Sequence, residues 1–166
     1  MKKIAFYIDN TGRGGAQRVM CNLTEYFCGK GFEVVFINDF QLDSVKPQYN
    51  VNSNVKRVFL QESKDAGHFR VLKLRRVLKN EKPEITISFM RRPNVRMLIA
   101  TIGLGIKKYV SVRNDPNREY GSSLFWKLIT NCLFLLATGC IFQTTDAERY
   151  FWKKNSQKVK SNLQPC

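Results

Sequence analysis

The sequence predicts an α/β fold, a parallel sheet flanked by helices, on three observations. Short apolar runs alternate with segments of helical period along the whole chain. The first run, Ile4–Ile8, passes into a turn holding Gly12, Gly14 and Gly15, and a helical pattern follows at once. The next, Phe32–Ile37, is apolar apart from Glu33, as expected of a strand buried on both faces.

The remaining elements follow in order. Ala16–Lys30 places Val19, Leu23, Tyr26 and Phe27 near helical spacing, and Gly31 is a stop signal. Residues 38–54 are polar and carry Pro47, which predicts a loop, and Val55–Leu60 predicts a weaker strand. His68–Asn80 presents Val71, Leu74 and Leu78 on one helical face. Ile85–Phe89 is a clean strand after Pro83, and Asn94–Leu104 a helix with Pro93 in its first turn. Tyr109–Val112 predicts a strand, Glu119–Ala137 one long helix, and Cys140–Phe142 another strand. Thr145-Asp-Ala-Glu148 matches a capping box that would start a helix through Trp152, and Val159 would begin a last strand. The 166 residues read as one domain, 1–166, large enough for a real core.

Charge is the unusual part of the composition. With 28 basic and 13 acidic side chains the net charge is +15, and nearly all of the excess falls after residue 50. Such a surface favours anionic partners: phosphates, an acidic membrane surface or nucleic acid. Against nucleic acid, aromatic residues are not interleaved with the basic ones as a stacking platform needs, and no RNA-recognition or helix-turn-helix pattern stands out. The five cysteines form no Cys-x-x-Cys pair and read as free, mostly buried thiols of a reducing, cytoplasmic compartment. Only five residues separate Lys3 from the next charge, Asp9, too few for the apolar core of a secretory leader. The uncharged run 128–145 is too polar for a membrane span and reads as a buried helix followed by a buried strand.

Ligands of parallel sheets bind beyond the carboxyl ends of the strands, so the segments there carry the chemistry. After the first strand, Gly12 and Gly14 fit a dinucleotide fingerprint, but Gln17 stands at its third glycine and Asp39 is a loose match for the ribose acid. No phosphate-loop lysine follows. A stand-alone nucleotide-binding protein is thus a weaker alternative, as is a basic nucleic-acid module. Ser88-Phe-Met-Arg-Arg-Pro-Asn94 sets Arg91 and Arg92 beside a helix start, suited to an anion or a sugar hydroxyl. Ser111-Val-Arg-Asn-Asp-Pro-Asn-Arg118 groups Arg113, Asn114 and Asp115, which can grip a polyol or form an ordinary Asn/Asp/Pro turn. Around 68–79, five basic side chains flank an apolar face, a pattern of membrane-surface helices and of solvated ones alike. His68 is the only histidine, and no zinc pattern or nucleophile elbow occurs, so no metal site is expected.

Gly14-Gly-Ala-Gln-Arg-Val19 resembles the Gly-Gly-Ala-Glu-Arg-Val element of family 4 glycosyltransferases, retaining enzymes of the GT-B fold. Lys82–Phe89, Val110–Glu119 and Ile141–Thr144 are similar to further stretches of that family, in the same order. The resemblance implies a Rossmann-like N-terminal domain, one half of a GT-B architecture, that holds the acceptor. Gly14 and Gly15 would face the donor diphosphate. Arg113 stands where many relatives have a histidine; because arginine stays protonated, it suits a clamp on acceptor or phosphate rather than a base. Ser88, Arg91, Arg92, Asn94, Asn114 and Asp115 are the candidate acceptor contacts.

The same resemblance implies a nucleotide sugar as substrate with no cofactor, and a glycan or lipid-phosphate acceptor of capsule, lipopolysaccharide or cell-wall synthesis. It implies a peripheral position at the inner membrane face and no nucleic-acid partner. Ser161–Cys166 falls where the family's interdomain linker would be, so the donor-binding domain is expected on a separate chain or to be missing, with weak donor binding and no turnover by this half alone.

Overall fold

The computed structural model describes residues 2–42, 48–61, 69–120 and 123–151, with the side chains of 119 and 120 excepted. Six strands form one sheet: β1 (Lys3–Ile8), β2 (Glu33–Phe40), β3 (Lys56–Gln61), β4 (Ile85–Phe89), β5 (Lys107–Val112) and β6 (Gly139–Phe142). Their order is β3-β2-β1-β4-β5-β6 and every pairing is parallel. The helices are α1 (Gly15–Gly29), α2 (Arg70–Glu81), α3 (Arg91–Ala100), α4 (Pro116–Tyr120), α5 (Leu124–Phe134) and α6 (Thr145–Tyr150). The predicted α/β class and parallel sheet are therefore what the chain forms.

Side chains alternate across the sheet and build two cores. Ile4, Phe6, Ile8, Val34, Phe36 and Phe89 face α1, which buries Met20 and Cys21 against them. Ala5, Tyr7, Val35, Ile37, Val110 and Val112 face the other way, under Leu74 and Leu78 of α2, Met97 and Leu98 of α3, and Phe134 of α5. At the amino edge, Lys3 and Lys56 both reach Glu81 at the end of α2, at 3.3 and 2.7 Å.

Four expectations shift. The helix expected over 119–137 is two, because Ser123 caps a fresh start: its hydroxyl accepts the Trp126 N–H at 3.4 Å. The helix expected from Asn94 begins at Arg91 and ends at Ala100, where the Thr101 hydroxyl donates to the carbonyls of Met97 and Leu98. The cap of α6 is Thr144, not Thr145, since the Thr144 hydroxyl accepts the Ala147 N–H. Cys132 is exposed, whereas Cys21 and Cys140 are buried free thiols. The expected starts at His68 and Val159, and the expected end at Trp152, lie outside the described residues. No described helix is long and apolar enough to cross a membrane.

Helix α2 ends in a left-handed residue that is not glycine: Lys82 has φ 49° and ψ 50°, and its N–H closes on the Leu78 carbonyl. A Cβ in that conformation costs about 1 kcal/mol, which glycine avoids. Lys82→Gly is expected to raise stability by about 1 kcal/mol in urea titrations, with the slope of the transition unchanged.

Candidate functional site

Strands β1 and β4 are neighbours, yet the helices that follow them leave on opposite faces: α1 covers one core and α3 the other. A crevice must open where the winding reverses, between the amino ends of α1 and α3. Neither end is capped by a side chain. The outer helices α5 and α6, in contrast, are closed by their own Ser123 and Thr144.

The turn into α1 is fixed from below. The Asn10 side chain accepts the Gly12 N–H at 2.9 Å, the Thr11 carbonyl accepts the Tyr49 N–H at 2.8 Å, and Gly12 bridges Gln48. Gly14 is the N-cap and is extended (φ −161°), so it satisfies no special backbone demand. A Cβ there would meet only the tip of the Gln17 side chain, and one on Gly15 would meet nothing within 4 Å. The space that a Gly15 side chain would take is open, at the uncapped start of α1. This is the geometry by which a helix start receives an anion. Gln17 reaches across the crevice, its amide 4.0 Å from the Met90 sulfur.

Met90 opens α3 with φ 73° and ψ 157°, a conformation rare outside glycine. It is held there by a buried brace. The Ser88 hydroxyl donates to the Asn94 side-chain oxygen at 2.7 Å, and the Asn94 amide donates to the Ser111 carbonyl at 2.9 Å, which also accepts the Met90 N–H at 3.3 Å. Ser88 and Asn94 are both wholly buried. Their expected role as acceptor contacts is therefore corrected: they tie β4 to β5 and position the loop, and reach no solvent themselves. Arg91 and Arg92 are the first two residues of α3 and are exposed.

Arg113 follows β5 on the face that carries Phe89. Its guanidinium carbon lies 4.2 Å from the centre of the Phe89 ring, and its Nε is buried with no hydrogen-bond partner. Burial pulls its pKa down from the usual arginine value, with no neighbouring charge offsetting it. Arginine nonetheless remains a cation at neutral pH. A cleft of about 670 Å³ opens beside it, lined by Arg113, Asn114, Asp115, Lys127, Gln143 and Tyr150 among others. Asn114 and Asp115 are exposed at its rim. Asp115 also accepts the Asn117 N–H at 2.9 Å, so it shapes the start of α4 as well.

Sequence reading missed a second cluster under the crevice. Asp39, weighed only as a ribose ligand, is 1% exposed. The Tyr7 hydroxyl donates to it at 2.6 Å, Arg96 of α3 pairs with it, and Arg70 of α2 lies 3.7 Å away. It is thus taken up inside the fold and corrected as a ribose contact. Burial, then the Asp39 charge, raises the Tyr7 phenol far above its usual range. Asp9, at the end of β1, is also raised, by burial first and by the Asp39 charge in addition. Among the described residues no group of three metal-ligating side chains occurs.

Two site variants follow. Arg96→Met leaves Asp39 buried with only the more distant Arg70, and is expected to cost about 3 kcal/mol in urea unfolding, most of it regained when Asp39→Leu is added. Asp9 has a folded pKa above its unfolded one, so the native state binds more protons between the two values and loses stability as pH rises through them. Asp9→Asn should therefore be more stable than the parent at pH 7. The difference should shrink towards zero as pH falls below 4, measured by urea unfolding across that range.

No protein-family model matches the chain. It is 26% identical over 174 residues to an α-1,4-N-acetyl-D-galactosaminyltransferase of Campylobacter jejuni whose name specifies an undecaprenol-diphosphate-linked trisaccharide acceptor ending in GalNAc-α-(1→4)-GalNAc. The match takes in 100% of this chain and 46% of that enzyme. Sucrose-phosphate synthase of Thermosynechococcus elongatus superposes with a TM-score of 0.70 at 11% identity, over 95% of this chain and 46% of its own. HepE of Anabaena, solved with UDP and glucose, gives a TM-score of 0.65 at 10% identity, over 94% and 42%. The chain spans about half the length of each of these relatives. Its fold is the Rossmann-like α/β fold that makes up about half of each of these GT-B structures.

Proposed function

We propose that this chain is the acceptor-side, N-terminal domain of a retaining family 4 glycosyltransferase. The complete assembly would pass a sugar from a nucleotide-sugar donor to a lipid-linked or polysaccharide acceptor of a bacterial surface glycan. One observation carries the reading: two uncapped helix starts flank the crevice, and Arg113, half-buried with an Nε that has no hydrogen-bond partner, lies one strand further on. In this reading Gly14 and Gly15 bring backbone N–H groups to the donor diphosphate, the leaving group of the transfer. Arg113 holds negative charge on donor or acceptor, because a protonated guanidinium can donate but cannot take the acceptor's proton. Arg91, Arg92, Asn114 and Asp115 bind acceptor hydroxyls or phosphate. No cofactor and no metal enters the reading. The nucleotide base and ribose would be held by the half that the relatives have and this chain does not span, so donor binding here is weak.

Titration of residues 1–166 with UDP-sugars, followed by amide NMR, is expected to move Gly14, Gly15 and Gln17 and the Arg113 side chain at millimolar ligand. Gly15→Val should abolish these shifts while changing stability by about 1 kcal/mol or less, since nothing stands where its side chain would go. Sugar transfer by residues 1–166 alone at ordinary enzyme rates would sink the half-domain reading. Tight, saturable dinucleotide binding would favour a stand-alone nucleotide-binding protein.

A further inference from the structure

Met90 breaks the alternation of the strand that leads to it. Along β4, Ile85, Ile87 and Phe89 pack on the α1 side of the sheet, while Ser88 turns to Asn94 of α3. Met90 should follow Ser88, but its side chain packs on the α1 side, in the same cluster as Phe89. The turn is made by a φ of 73°, in a backbone region that glycine enters freely and a side chain makes costly. The main chain there is occupied within the fold: the Met90 N–H donates to the Ser111 carbonyl at 3.3 Å, and its carbonyl accepts the Asn94 N–H at 2.9 Å. What methionine supplies over glycine at this position is therefore its side chain, sent across the crevice from the helix that it opens.

That side chain stands between the two helix starts. The Gln17 amide donates to its sulfur at 4.0 Å, and the oxygen of the same carboxamide lies where a Gly14 Cβ would stand. One side chain thus links Met90 to the start of α1. Met20 and Met97 are wholly buried, whereas Met90 is half-buried and reaches the crevice. Around it are the uncapped start of α1, the Gln17 carboxamide, Arg91, and Arg113 over the ring of Phe89. To this polar set Met90 adds carbon and a polarisable sulfur. A sugar phosphate presents both matching surfaces: oxygens on the phosphate and at the ring edge, and C–H groups on the ring face.

We propose that Met90 is a sugar-contacting residue, its thioether receiving the C–H face of a hexose ring joined to a phosphate at the start of α1. The buried Ser88–Asn94–Ser111 brace then has a purpose beyond tying strands together, since it holds this side chain out over the crevice against the preference of its backbone. This deepens the reading above by naming a residue for the sugar, and it rests on that reading for the phosphate.

The test is NMR of residues 1–166 labelled at the methionine methyl groups and at backbone amides, titrated with UDP-glucose and separately with UDP; Met90→Leu identifies the Met90 signal. The Met90 methyl is expected to move with UDP-glucose and to stay in place with UDP, while the Gly14 and Gly15 amides move with both. UDP-glucose should bind about fourfold more tightly than UDP, the worth of one methylene-sized group removed from water, and Met90→Gly should lose that ratio. In urea titrations Met90→Gly should unfold at a higher concentration than Met90→Ala, the reverse of the order at an ordinary extended position. An alanine variant at least as stable as the glycine variant overturns the proposal, because the side chain would then be held there at no cost. A Met90 methyl that moves equally with UDP, or that stays in place while Gly14 and Gly15 respond, overturns the sugar contact and leaves the functional reading standing. Gly14 and Gly15 amides that respond to neither ligand strike the functional reading; a Met90 response to UDP-glucose in that case still supports the contact, and its absence strikes both.

Discussion

The crevice exists because β1 and β4 pair in parallel while α1 and α3 leave them on opposite sides. Two helix starts then face the same gap, and no backbone can run between them to satisfy their N–H groups. Everything else near the site holds that gap open. Asn10 and Tyr49 fix the turn into α1. Ser88, Asn94 and the Ser111 carbonyl fix the turn into α3 and hold Met90 in a backbone conformation it would not otherwise keep. Gln17 spans the two. A helix end left uncapped costs on the order of 1 kcal/mol. Helices α5 and α6 avoid that cost with a single hydroxyl, whereas α1 and α3, like α2, start without a side-chain cap.

Beneath the crevice lies a second constraint. Asp39 ends β2 with a buried carboxylate, and the two arginines that neutralise it come from α2 and α3. Three separate elements are thus tied to one atom pair at the carboxyl edge. Such a group adds little net stability, because desolvation offsets most of the attraction. Its effect is geometric: α3 cannot slide along the sheet without stranding Asp39, so the helix start that carries Arg91 and Arg92 keeps its place at the end of β4.

The fold was legible because its signals are local. Apolar runs bounded by Gly31 or Pro83, and a glycine turn directly after the first strand, mark strands and helix starts within a few residues. The break between α4 and α5 had a local signal too, Gly121-Ser122-Ser123, a stop glycine followed by capping serines, which a single helix over 119–137 ran through. The site was half legible. Arg113 and the Gly14–Gly15 turn announce themselves by standing at strand ends. Asn94 did so too, but a polar residue at a helix start looks alike whether it faces a ligand or a neighbouring carbonyl, and only burial separates the two. The Asp39–Arg96 pair joins residues 57 apart and has no local signature at all. Nor does the outward side of α5 stand out, because Leu124, Leu128 and Cys132 have the spacing of a buried face and are in fact exposed.

Arg96 and Arg113 show how burial alone misleads about chemistry. Both are arginines withdrawn from water at the carboxyl edge of the sheet, and burial disfavours the charge of both. Arg96 recovers what it loses through Asp39 and Tyr7, so its charge is spent within the fold. Arg113 has only the face of Phe89, worth about 1–2 kcal/mol, and a buried Nε with nothing to donate to. A partly desolvated cation in that condition gains most from an anion brought from outside, and gains more than an exposed lysine would because the surrounding medium screens less. Of the two, Arg113 is the one whose loss on burial no neighbouring charge offsets, and it is also the one that opens on the cleft.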